Sequence, residues 1–313
     1  MIRIAAIGEC MMELTHTDES TLSIGFAGDT MNTASYLARL GGDMLQTDYI
    51  SRVGDDRYSL DMLARMKAEG IGTSLVEKVP GKSPGLYLIR TDEAGERSFT
   101  YHRSTSPARD LFGPDQSLEV DETLSYYDVI YLSAVSLQIL TDAARRRLWK
   151  VLDLARRRGG TVVFDTNYRP AGWDSAETAR HAIEQALRRT DIAFPTFDDE
   201  RLLFGDSDTE ACVERLAAWG VDEIVVKNGS EGCLVRRGDL HETIPARVVA
   251  EVLDTTGAGD SFNAGYLAAR FAGATPVAAA KCGHVLAAEV IRWPGAVIPP
   301  QAMPAPALNG PGC

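Results

Sequence analysis

The sequence at residues 254–262 is Asp254-Thr255-Thr256-Gly257-Ala258-Gly259-Asp260-Ser261-Phe262. An apolar run at Val248–Leu253 precedes it and a helical pattern at Ser261–Phe271 follows it, which predicts a strand, a tight turn and a helix. The two glycines let backbone N–H groups in the turn point at one spot, where the helix N-terminus adds partial positive charge. Such a turn is typical of a binding site for anions, above all phosphate.

Asp260 lies within the first turn of the predicted helix. The helix dipole favours a carboxylate there, so we expect Asp260 to stay ionised and to be able to accept a proton. On the pattern alone, a plain N-terminal cap on a tight turn is the other open interpretation. Two better-known phosphate motifs are excluded: Val76 precedes Gly81-Lys82-Ser83 where a P-loop needs glycine, and Phe262 replaces the third glycine of a dinucleotide fingerprint.

Short apolar runs alternate with helical patterns through most of the chain. The expected strands are Ile2–Ile7, Asp128–Ser133, Thr161–Asp165, Asp191–Phe194 and Glu223–Lys227, and the expected helices are Thr30–Leu40, Arg57–Glu69, Thr141–Arg158, Ser175–Arg189 and Glu210–Trp219. In the helix after Thr141, for example, the apolar residues form one stripe. This alternation predicts an α/β fold with a mostly parallel central sheet and helices on both faces.

One region breaks the alternation. Pro84–Arg90 and Arg97–His102 have the pattern of a hairpin, and a further short strand is expected near Cys10–Leu14. We expect about residues 9–25 and 82–104 to form a small inserted β-sheet that acts as a lid, although an ordinary surface hairpin would give the same pattern. The rest is expected to be a single domain over residues 1–300, followed by a flexible Pro- and Gly-rich tail at 301–313.

The overall composition restricts the class of protein. The chain has 313 residues and a formal net charge of −12, so it repels phosphate backbones and no nucleic-acid partner is expected. No stretch has the roughly 18 apolar residues of a membrane span, and the N-terminus lacks a signal-peptide pattern, so we expect a cytoplasmic protein without membrane contact. The cysteines and histidines show no CxxC or HxxxH spacing, so no metal ligands are assigned.

Residues 254–262, with the helix that follows, resemble the C-terminal signature of the ribokinase-like (PfkB) carbohydrate kinases. The segment Ala27-Gly28-Asp29-Thr30-Met31-Asn32-Thr33-Ala34 resembles the glycine-rich substrate loop of that family, although Ala27 stands where the family has a second glycine. The resemblance covers roughly residues 3–298. It implies a three-layer α/β sandwich with a small β lid, and transfer of the γ-phosphoryl group of ATP, carried with Mg²⁺, to a sugar hydroxyl.

The resemblance also implies a role for each matching residue. Asp260 would take the proton of the sugar hydroxyl, and the backbone N–H groups of Gly257, Ala258 and Gly259 would form an anion hole for the phosphoryl group. The residues implied in sugar binding are Gly28, Asp29 and Asn32, and those implied in nucleotide binding, besides the anion hole, are Asn167, Lys227, Gly229, Gly232 and His284. Lys227 could instead only end its strand, and His284 could be an ordinary packed histidine. Mg²⁺ would be held largely by phosphate oxygens and water.

Finer features resemble the branch of the family that acts on keto-deoxy sugar acids. They include Gly8-Glu9-Cys10-Met11, Tyr101-His102-Arg103, Asp198-Asp199-Glu200 and the run Phe164–Pro170. Such a substrate has a carboxylate, which arginine binds well through its planar pair of N–H donors. The resemblance makes Arg103 and Arg169 the candidates for it, with Tyr87 and Tyr101 contributing hydroxyls and a ring face. We therefore expect one local positive pocket inside an acidic protein.

Other functions stay open at this level. The chain could be another ribokinase-like kinase, such as a fructokinase, a ribokinase or a kinase of a galactonate-derived keto acid. The galactonate-derived acid differs from its epimer at one hydroxyl, which the sequence does not resolve. A non-catalytic sugar-binding regulator is a third interpretation, but it would be expected to lack the base, and Asp260 is present. Because the lids of this family often pair between subunits, the resemblance implies a homo-oligomer, most simply a dimer.

Overall fold

The computed structural model describes residues 1–91 and 97–304. Residues 92–96, which are all but the first residue of the expected hairpin linker, lie outside the described residues, as does most of the expected tail, residues 305–313. A short 3₁₀ turn at Pro300–Ala302 spans the boundary between the expected domain and that tail.

The chain alternates between strands and helices for most of its length. The strands are β1 (Ile2–Ile7), β2 (Met11–His16), β3 (Leu22–Ala27), β4 (Leu45–Gly54), β5 (Val76–Val79), β6 (Leu86–Thr91), β7 (Arg97–His102), β8 (Val129–Ser133), β9 (Thr161–Asp165), β10 (Ile192–Phe194), β11 (Glu223–Lys227), β12 (Cys233–Arg237) and β13 (Leu240–Ile244). The α-helices are α1 (Asp29–Gly41), α2 (Arg57–Ala68), α3 (Glu119–Leu124), α4 (Ala134–Gln138), α5 (Asp142–Arg157), α6 (Ala176–Leu187), α7 (Phe197–Phe204), α8 (Thr209–Ala218), α9 (Ala258–Phe271) and α10 (Pro276–Val290). The strands and helices expected from the alternation are all present, with ends within two residues of the expected ones.

The large sheet has the strand order β13-β12-β11-β10-β9-β8-β1-β4-β5. Neighbouring strands from β11 to β5 are parallel, and the pairs β11–β12 and β12–β13 at one edge are antiparallel. Parallel neighbours must be joined by crossovers, which the helices supply, and this explains why helices flank the sheet. The expected α/β fold with a mostly parallel sheet is confirmed.

Alternate side chains of the central strand β1 enter two separate hydrophobic cores. Ile4 and Ala6 are fully buried in the core shared with α1, α2, α9 and α10, whereas Ala5 and Ile7 are fully buried in the core shared with α5, α6 and α8. Because the side chains of a strand alternate between faces, the sheet is the middle layer of a three-layer sandwich. No helix in the described part of the chain is long and apolar enough to cross a membrane.

Strand β4 was not expected, because several of its buried residues are polar. Asp48 accepts a hydrogen bond from the Tyr127 hydroxyl at 3.0 Å, and Arg52 donates to the backbone oxygen of Asp110 at 3.0 Å. Buried polar groups are tolerated when they are hydrogen-bonded. The pattern of apolar and polar residues therefore does not reveal this strand.

The strand expected at Val248–Leu253 is absent. These residues form an irregular segment before α9, in which Val248 is 95% and Leu253 is 67% exposed. The N–H of Leu253 donates to the backbone oxygen of Ile291 at 2.8 Å, so the segment is attached to the end of α10 and not to the sheet. An apolar run becomes a strand only where its backbone finds a partner strand, which depends on tertiary context.

A second sheet, four-stranded in the described residues, has the order β3-β2-β6-β7. The expected hairpin is formed by β6 and β7, which pair antiparallel with Tyr87 opposite Tyr101. Strand β2 pairs with β6 in parallel and with β3 in antiparallel orientation. Met11, Ala27, Tyr87 and Ile89 are buried together on one face of this sheet, so it has a small core of its own.

Candidate active site

The polar residues identified in the sequence gather at one edge of the large sheet. Strands β9 and β11 end there with Asp165 and Lys227, and helices α1 and α9 begin there with Asp29 and Ala258. Parallel strands bring their carboxyl ends to the same edge, which is where α/β proteins bind ligands. These elements place side chains from distant parts of the chain around one site.

Helix α9 begins after Gly257, which has a left-handed conformation with a φ of 76°. A Cβ atom at Gly257 would also lie 2.6 Å from the backbone oxygen of Ala296, so both conformation and space require glycine. The N–H groups of Gly257 and Gly259 bond to no described residue, whereas that of Ala258 donates to the backbone oxygen of Thr255 at 3.2 Å. Two of the N–H groups expected in the anion hole thus have no partner in the described chain.

Asp260 is half-buried in the first turn of α9, against α1. Its Oδ2 accepts a hydrogen bond from the Asn32 side-chain amide at 2.8 Å, and the Oδ1 of Asn32 is buried without a partner among the described residues. Burial and the nearby Asp29 carboxylate raise the pKa of Asp260 to about 8, against the opposing effects of Asn32 and Lys227. The expectation that Asp260 stays ionised is therefore wrong for the protein without ligands. Its carboxyl group titrates near neutral pH, which is favourable for a general base.

Gly28 precedes α1 in close contact with the end of β1. A Cβ atom there would lie 2.2 Å from the backbone oxygen of Glu9, so a larger residue would separate the two segments. The next residue, Asp29, accepts a hydrogen bond at Oδ2 from the Asn167 side-chain amide at 2.8 Å. The resemblance implied that Asn167 binds the nucleotide. In the structure its side chain instead bonds to Asp29, which the resemblance implied in sugar binding.

Lys227 makes its contacts inside the site. Its Nζ lies 3.2 Å from Oδ1 of Asp165 and 3.3 Å from Oδ1 of Asn263. A Cβ atom added to Gly259 would lie 3.4 Å from the same Nζ. The ammonium group therefore stands beside the start of α9, next to the N–H groups that lack a partner.

Arg103 follows β7 and extends from the small sheet to the end of β1. Its Nη2 donates to Oε2 of Glu9, and the two side chains are only 16% and 1% exposed. Nε of Arg103 and Oε1 of Glu9 are both buried without a partner in the described part of the chain. The guanidinium group is thus held at one end and keeps a donor for another acceptor.

Tyr87 and Tyr101 lie on the same face of the small sheet as Arg103. The two tyrosines are directly opposite each other, with ring centroids 5.6 Å apart. Tyr87 is buried and donates its hydroxyl to Glu13, whereas Tyr101 is 54% exposed. Tyr101 is therefore the one whose ring and hydroxyl are accessible to a ligand.

Arg169 lies after β9 and is less constrained than Arg103, with a side chain 57% exposed. Its Nη1 donates to the backbone oxygen of Tyr168 at 2.8 Å and approaches Oδ2 of Asp199 at 3.4 Å. Burial raises the pKa of Asp199, and Arg169 partly offsets this effect. The two arginines assigned to a carboxylate therefore differ in burial and in how firmly they are held.

The site is not the positive pocket expected from the sequence. Each of its basic side chains is paired with a carboxylate: Lys227 with Asp165, Arg103 with Glu9, and Arg169 with Asp199. Asp29 and Asp260 add carboxyl groups that bond to amides and form no ion pair with a described residue. Without ligands, the site has more acidic than basic groups.

Gly232 and His284, both assigned to the nucleotide, each lie beside Ile244 at the end of β13. Gly229 begins the 3₁₀ turn after β11. A Cβ atom on Gly232, which has a φ of 104°, would lie 2.1 Å from the backbone oxygen of Ile244. His284 packs against Phe262 with ring centroids 4.9 Å apart, and its Nε2 is buried without a described partner. Burial lowers the pKa of His284, which keeps the ring neutral. His284 is therefore packed against Phe262 and keeps Nε2 without a described partner, and its contact with the nucleotide stays a prediction.

Sequence reasoning gave no role to Glu9, Asp165 and Asn263, which the structure places inside the site. Glu9 and Asp165 follow or end strands that point to the ligand edge of the sheet. Asn263 comes three residues after Asp260, on the same side of its helix. A search for polar residues at the carboxyl ends of predicted parallel strands would have found the first two.

Residues 1–303 match the sequence pattern of the pfkB family of carbohydrate kinases. A 2-dehydro-3-deoxygluconokinase from Dickeya dadantii is 44% identical over 306 residues, which cover 96% of this chain and 98% of that protein. A protein of the same name from Escherichia coli K12 is 43% identical over 307 residues, which cover 97% of this chain and 99% of that one.

A solved structure shows the same fold at lower sequence identity. It is that of a candidate ribokinase II from Escherichia coli in complex with ATP and Mg²⁺, and it superposes with a TM-score of 0.82. The match covers 95% of this chain and 94% of that chain at 22% identity. At this identity the likeness concerns the fold.

Proposed function

The chain belongs to the pfkB family of carbohydrate kinases and is itself a carbohydrate kinase, and we propose that it transfers the γ-phosphoryl group of ATP to the 6-hydroxyl group of 2-keto-3-deoxygluconate. The support for this substrate is the 44% and 43% identity, over nearly the whole chain, to proteins named for that activity. The observation that carries the chemistry is Asp260 beside the partnerless N–H groups of Gly257 and Gly259.

Asp260 acts as the general base in this proposal. Its ionised form accepts the proton of the 6-hydroxyl group while the hydroxyl oxygen attacks the γ-phosphorus. A pKa of about 8 makes this carboxylate more basic than an ordinary one, so it takes the proton more readily. A base in this position typically contributes about 10²–10⁴ in rate.

The start of α9 supplies the anion hole. The N–H groups of Gly257 and Gly259 have no described partner and lie at the positive end of the helix dipole, where phosphoryl oxygens are stabilised. Ala258 contributes less than expected, because its N–H already donates to Thr255. The ammonium group of Lys227 adds a full positive charge beside them.

The charge balance of the site fits Mg²⁺ carried with the nucleotide. Asp29 and Asp260 have no basic partner among the described residues, and Asp260 must lose its proton to act as the base, so a phosphate group would meet uncompensated carboxylates. When bound with ATP, Mg²⁺ offsets the charge of the phosphate oxygens, and it is held largely by those oxygens and by water. We assign no side chain of this protein as its ligand.

The sugar acid lies between α1 and the small sheet in our proposal. Arg103, with Arg169, binds the carboxylate, and the ring of Tyr101 covers the sugar. Asp29 and the partnerless Oδ1 of Asn32 accept hydrogen bonds from hydroxyl groups. The small sheet then acts as a lid that excludes water from the reaction.

An assay of ADP release over a panel of sugars tests the proposal. With MgATP, the purified protein is expected to phosphorylate 2-keto-3-deoxygluconate with a kcat/KM at least about 100-fold above that for fructose or ribose, because the neutral sugars leave Arg103 without its carboxylate. The galactonate-derived epimer belongs in the same panel. Turnover of fructose or ribose with no turnover of either sugar acid would contradict the proposed substrate.

We also propose a homodimer formed through the small sheet. On the face opposite Tyr87, the register places Leu14 beside Ile24 and Leu88 in one apolar row, and Ile24 is 56% exposed. An exposed apolar row of this kind is best covered by a second copy of the same row. Light scattering is expected to show a dimer for the unaltered protein and a monomer for Ile24→Lys. A monomer for the unaltered protein at micromolar concentration would contradict this.

A further inference from the structure

A buried polar trio, formed by Asp165, Lys227 and Asn263, lies behind the anion hole. Asp165 and Asn263 are 2% and 0% exposed, and the side chain of Lys227 is 12% exposed. Nζ of Lys227 lies 3.2 and 3.3 Å from the two carboxylate oxygens of Asp165 and 3.3 Å from Oδ1 of Asn263. The Asn263 amide donates in turn to Oδ2 of Asp165 at 2.7 Å. The trio is therefore a closed triangle of hydrogen bonds between β9, β11 and α9.

The ammonium group of Lys227 also lies beside the start of α9. Its Nζ is 3.4 Å from where a Cβ atom of Gly259 would be. The N–H of Gly259 has no partner among the described residues. The positive charge of the ammonium group and this N–H therefore act on the same small region.

A second chain of hydrogen bonds leads from Asn263 through β8 and α1 to the backbone of Asp260, on the same helix as Asn263. The Asn263 amide donates to the Tyr131 hydroxyl at 3.1 Å, and this hydroxyl lies 3.1 Å from Oγ1 of Thr33. Thr33 is in turn 3.2 Å from the backbone oxygen of Asp260. Tyr131 and Thr33 are fully buried. The position of Lys227 is therefore fixed relative to Asp260.

We propose that Asp165 and Asn263 are positioning residues that hold Lys227 so that its ammonium group stabilises the transferring phosphoryl group in the transition state. The inference rests on the phosphoryl transfer proposed above. In that step a bond forms between the substrate oxygen and the γ-phosphorus, the bond from phosphorus to the β,γ-bridging oxygen breaks, and the hydroxyl proton goes to Asp260. Lys227 forms no covalent bond, and its charge offsets the negative charge on the phosphoryl oxygens and the leaving ADP.

The anchoring of Lys227 decides which kinetic constant it affects. A mobile lysine would follow the phosphate in the ground state and in the transition state alike, which strengthens ATP binding without raising kcat. A lysine held by two buried partners cannot follow, so it fits one geometry and needs no reorganisation during the reaction. Loss of an anchor is therefore expected to lower kcat while KM for ATP stays nearly constant.

Substitutions within the trio test the inference through the split between kcat and KM. Lys227→Met is expected to lower kcat about 100-fold, and Asp165→Asn about 10- to 100-fold, while KM for each substrate and Kd for ATP change less than about 3-fold. Asn263→Ala removes one anchor only and is expected to lower kcat about 3- to 10-fold, which gives a second measurement if Asp165→Asn folds poorly. The double variant of Asp165 and Lys227 should have the kcat of Lys227→Met within about 3-fold, because Asp165 acts through Lys227.

The pH profile gives a readout that a purely structural role would not change. The charged and titratable groups that face Asp260 are Asp29, Asp165, Lys227, Tyr36 and Tyr131. Among them, Asp165 raises and Lys227 lowers the pKa of the base. The acid limb of kcat/KM is therefore expected to move by roughly half a pH unit, to lower pH in Asp165→Asn and to higher pH in Lys227→Met. A general distortion of the site would not move the limb in opposite directions.

Glu223→Gln is a matched control at the other end of β11. Glu223 is 2% exposed and accepts hydrogen bonds from Tyr266 and Arg270, so its loss also disturbs a buried charged cluster on the same strand. This variant is expected to melt at a lower temperature and to keep the kcat of the unaltered protein. A fall in kcat equal to that of Asp165→Asn would show that any buried charge on β11 affects turnover.

The outcomes separate this inference from the proposed function. An unchanged kcat in Asp165→Asn, a rise of KM for ATP in proportion to the fall of kcat, or additive effects in the double variant would each overturn the role of the trio. If the unaltered protein phosphorylates a neutral sugar only, the proposed substrate fails, and the same variants are compared on that sugar. Absence of any turnover by the unaltered protein would overturn both.

Discussion

Asp260→Asn is expected to lower kcat at least about 100-fold while leaving the affinity for ATP nearly unchanged. Asparagine has the same shape and can still accept the hydrogen bond from Asn32, but it cannot take up the proton of a hydroxyl group. Steady-state kinetics give kcat, and calorimetric titration gives Kd for ATP. Turnover like that of the unaltered protein would remove Asp260 from the role of base.

The same substitution is expected to stabilise the fold. The pKa of Asp260 is about 8 in the folded protein, against 3.8 for an unperturbed aspartate. Because the folded state holds this proton more tightly, the stability it contributes is fully present below about pH 4 and is lost as the pH rises to about 8. Asparagine does not titrate, so the gain in Tm is expected to grow between these pH values and then level off. A gain in Tm independent of pH would contradict the raised pKa.

Arg103→Ala is expected to raise KM for the sugar acid at least about 100-fold, with KM for ATP changed less than about 3-fold. The guanidinium group is largely buried and is anchored by Glu9, so under the proposed function its loss removes the main donor to the substrate carboxylate. Steady-state kinetics on the sugar acid and on a neutral sugar measure the effect. Only the sugar acid should be affected, and an equal loss on both would indicate a general defect.

Two further variants control for the Arg103 result. Arg103→Ala leaves Glu9 buried without its cation, which destabilises the fold, so Tm is measured as well. Arg103→Lys keeps the charge but loses the planar pair of donors, and an intermediate KM is expected. Arg169→Ala should raise KM for the sugar acid only about 10-fold, because that side chain is 57% exposed and loosely held.

The elements of the fold were predictable where their signals are local. The helix at Asp142–Arg157 was expected from its apolar stripe and from Thr141, whose side chain caps it as predicted. Strand β4 was missed because its polar residues are paired by partners elsewhere in the chain, such as Tyr127 for Asp48. The strand expected at Val248–Leu253 was wrong because its backbone bonds to the end of α10.

The residues at the two helix starts were also predictable, but their partners were not. Asp29 and Asp260 lie in contiguous motifs, so the sequence alone identified them. The donor to Asp29 is Asn167, 138 residues away, and the donor to Asp260 is Asn32, 228 residues away. No local pattern contains such a pairing, because it depends on how β-strands and crossover helices are arranged in space.

The sequence by itself determined the α/β class, the turn that begins α9 and the presence of the Asp260 carboxyl group in that turn, because these depend on neighbouring residues and on periodicity. Only the tertiary structure decided how the charges are used. It pairs Arg103 with Glu9, 94 residues away, and Lys227 with Asp165, 62 residues away, so the expected positive pocket is instead a set of compensated pairs. It also raises the pKa of Asp260 through burial and the nearby Asp29 carboxylate. Both effects depend on distances in space, which net charge and motif spacing do not reveal.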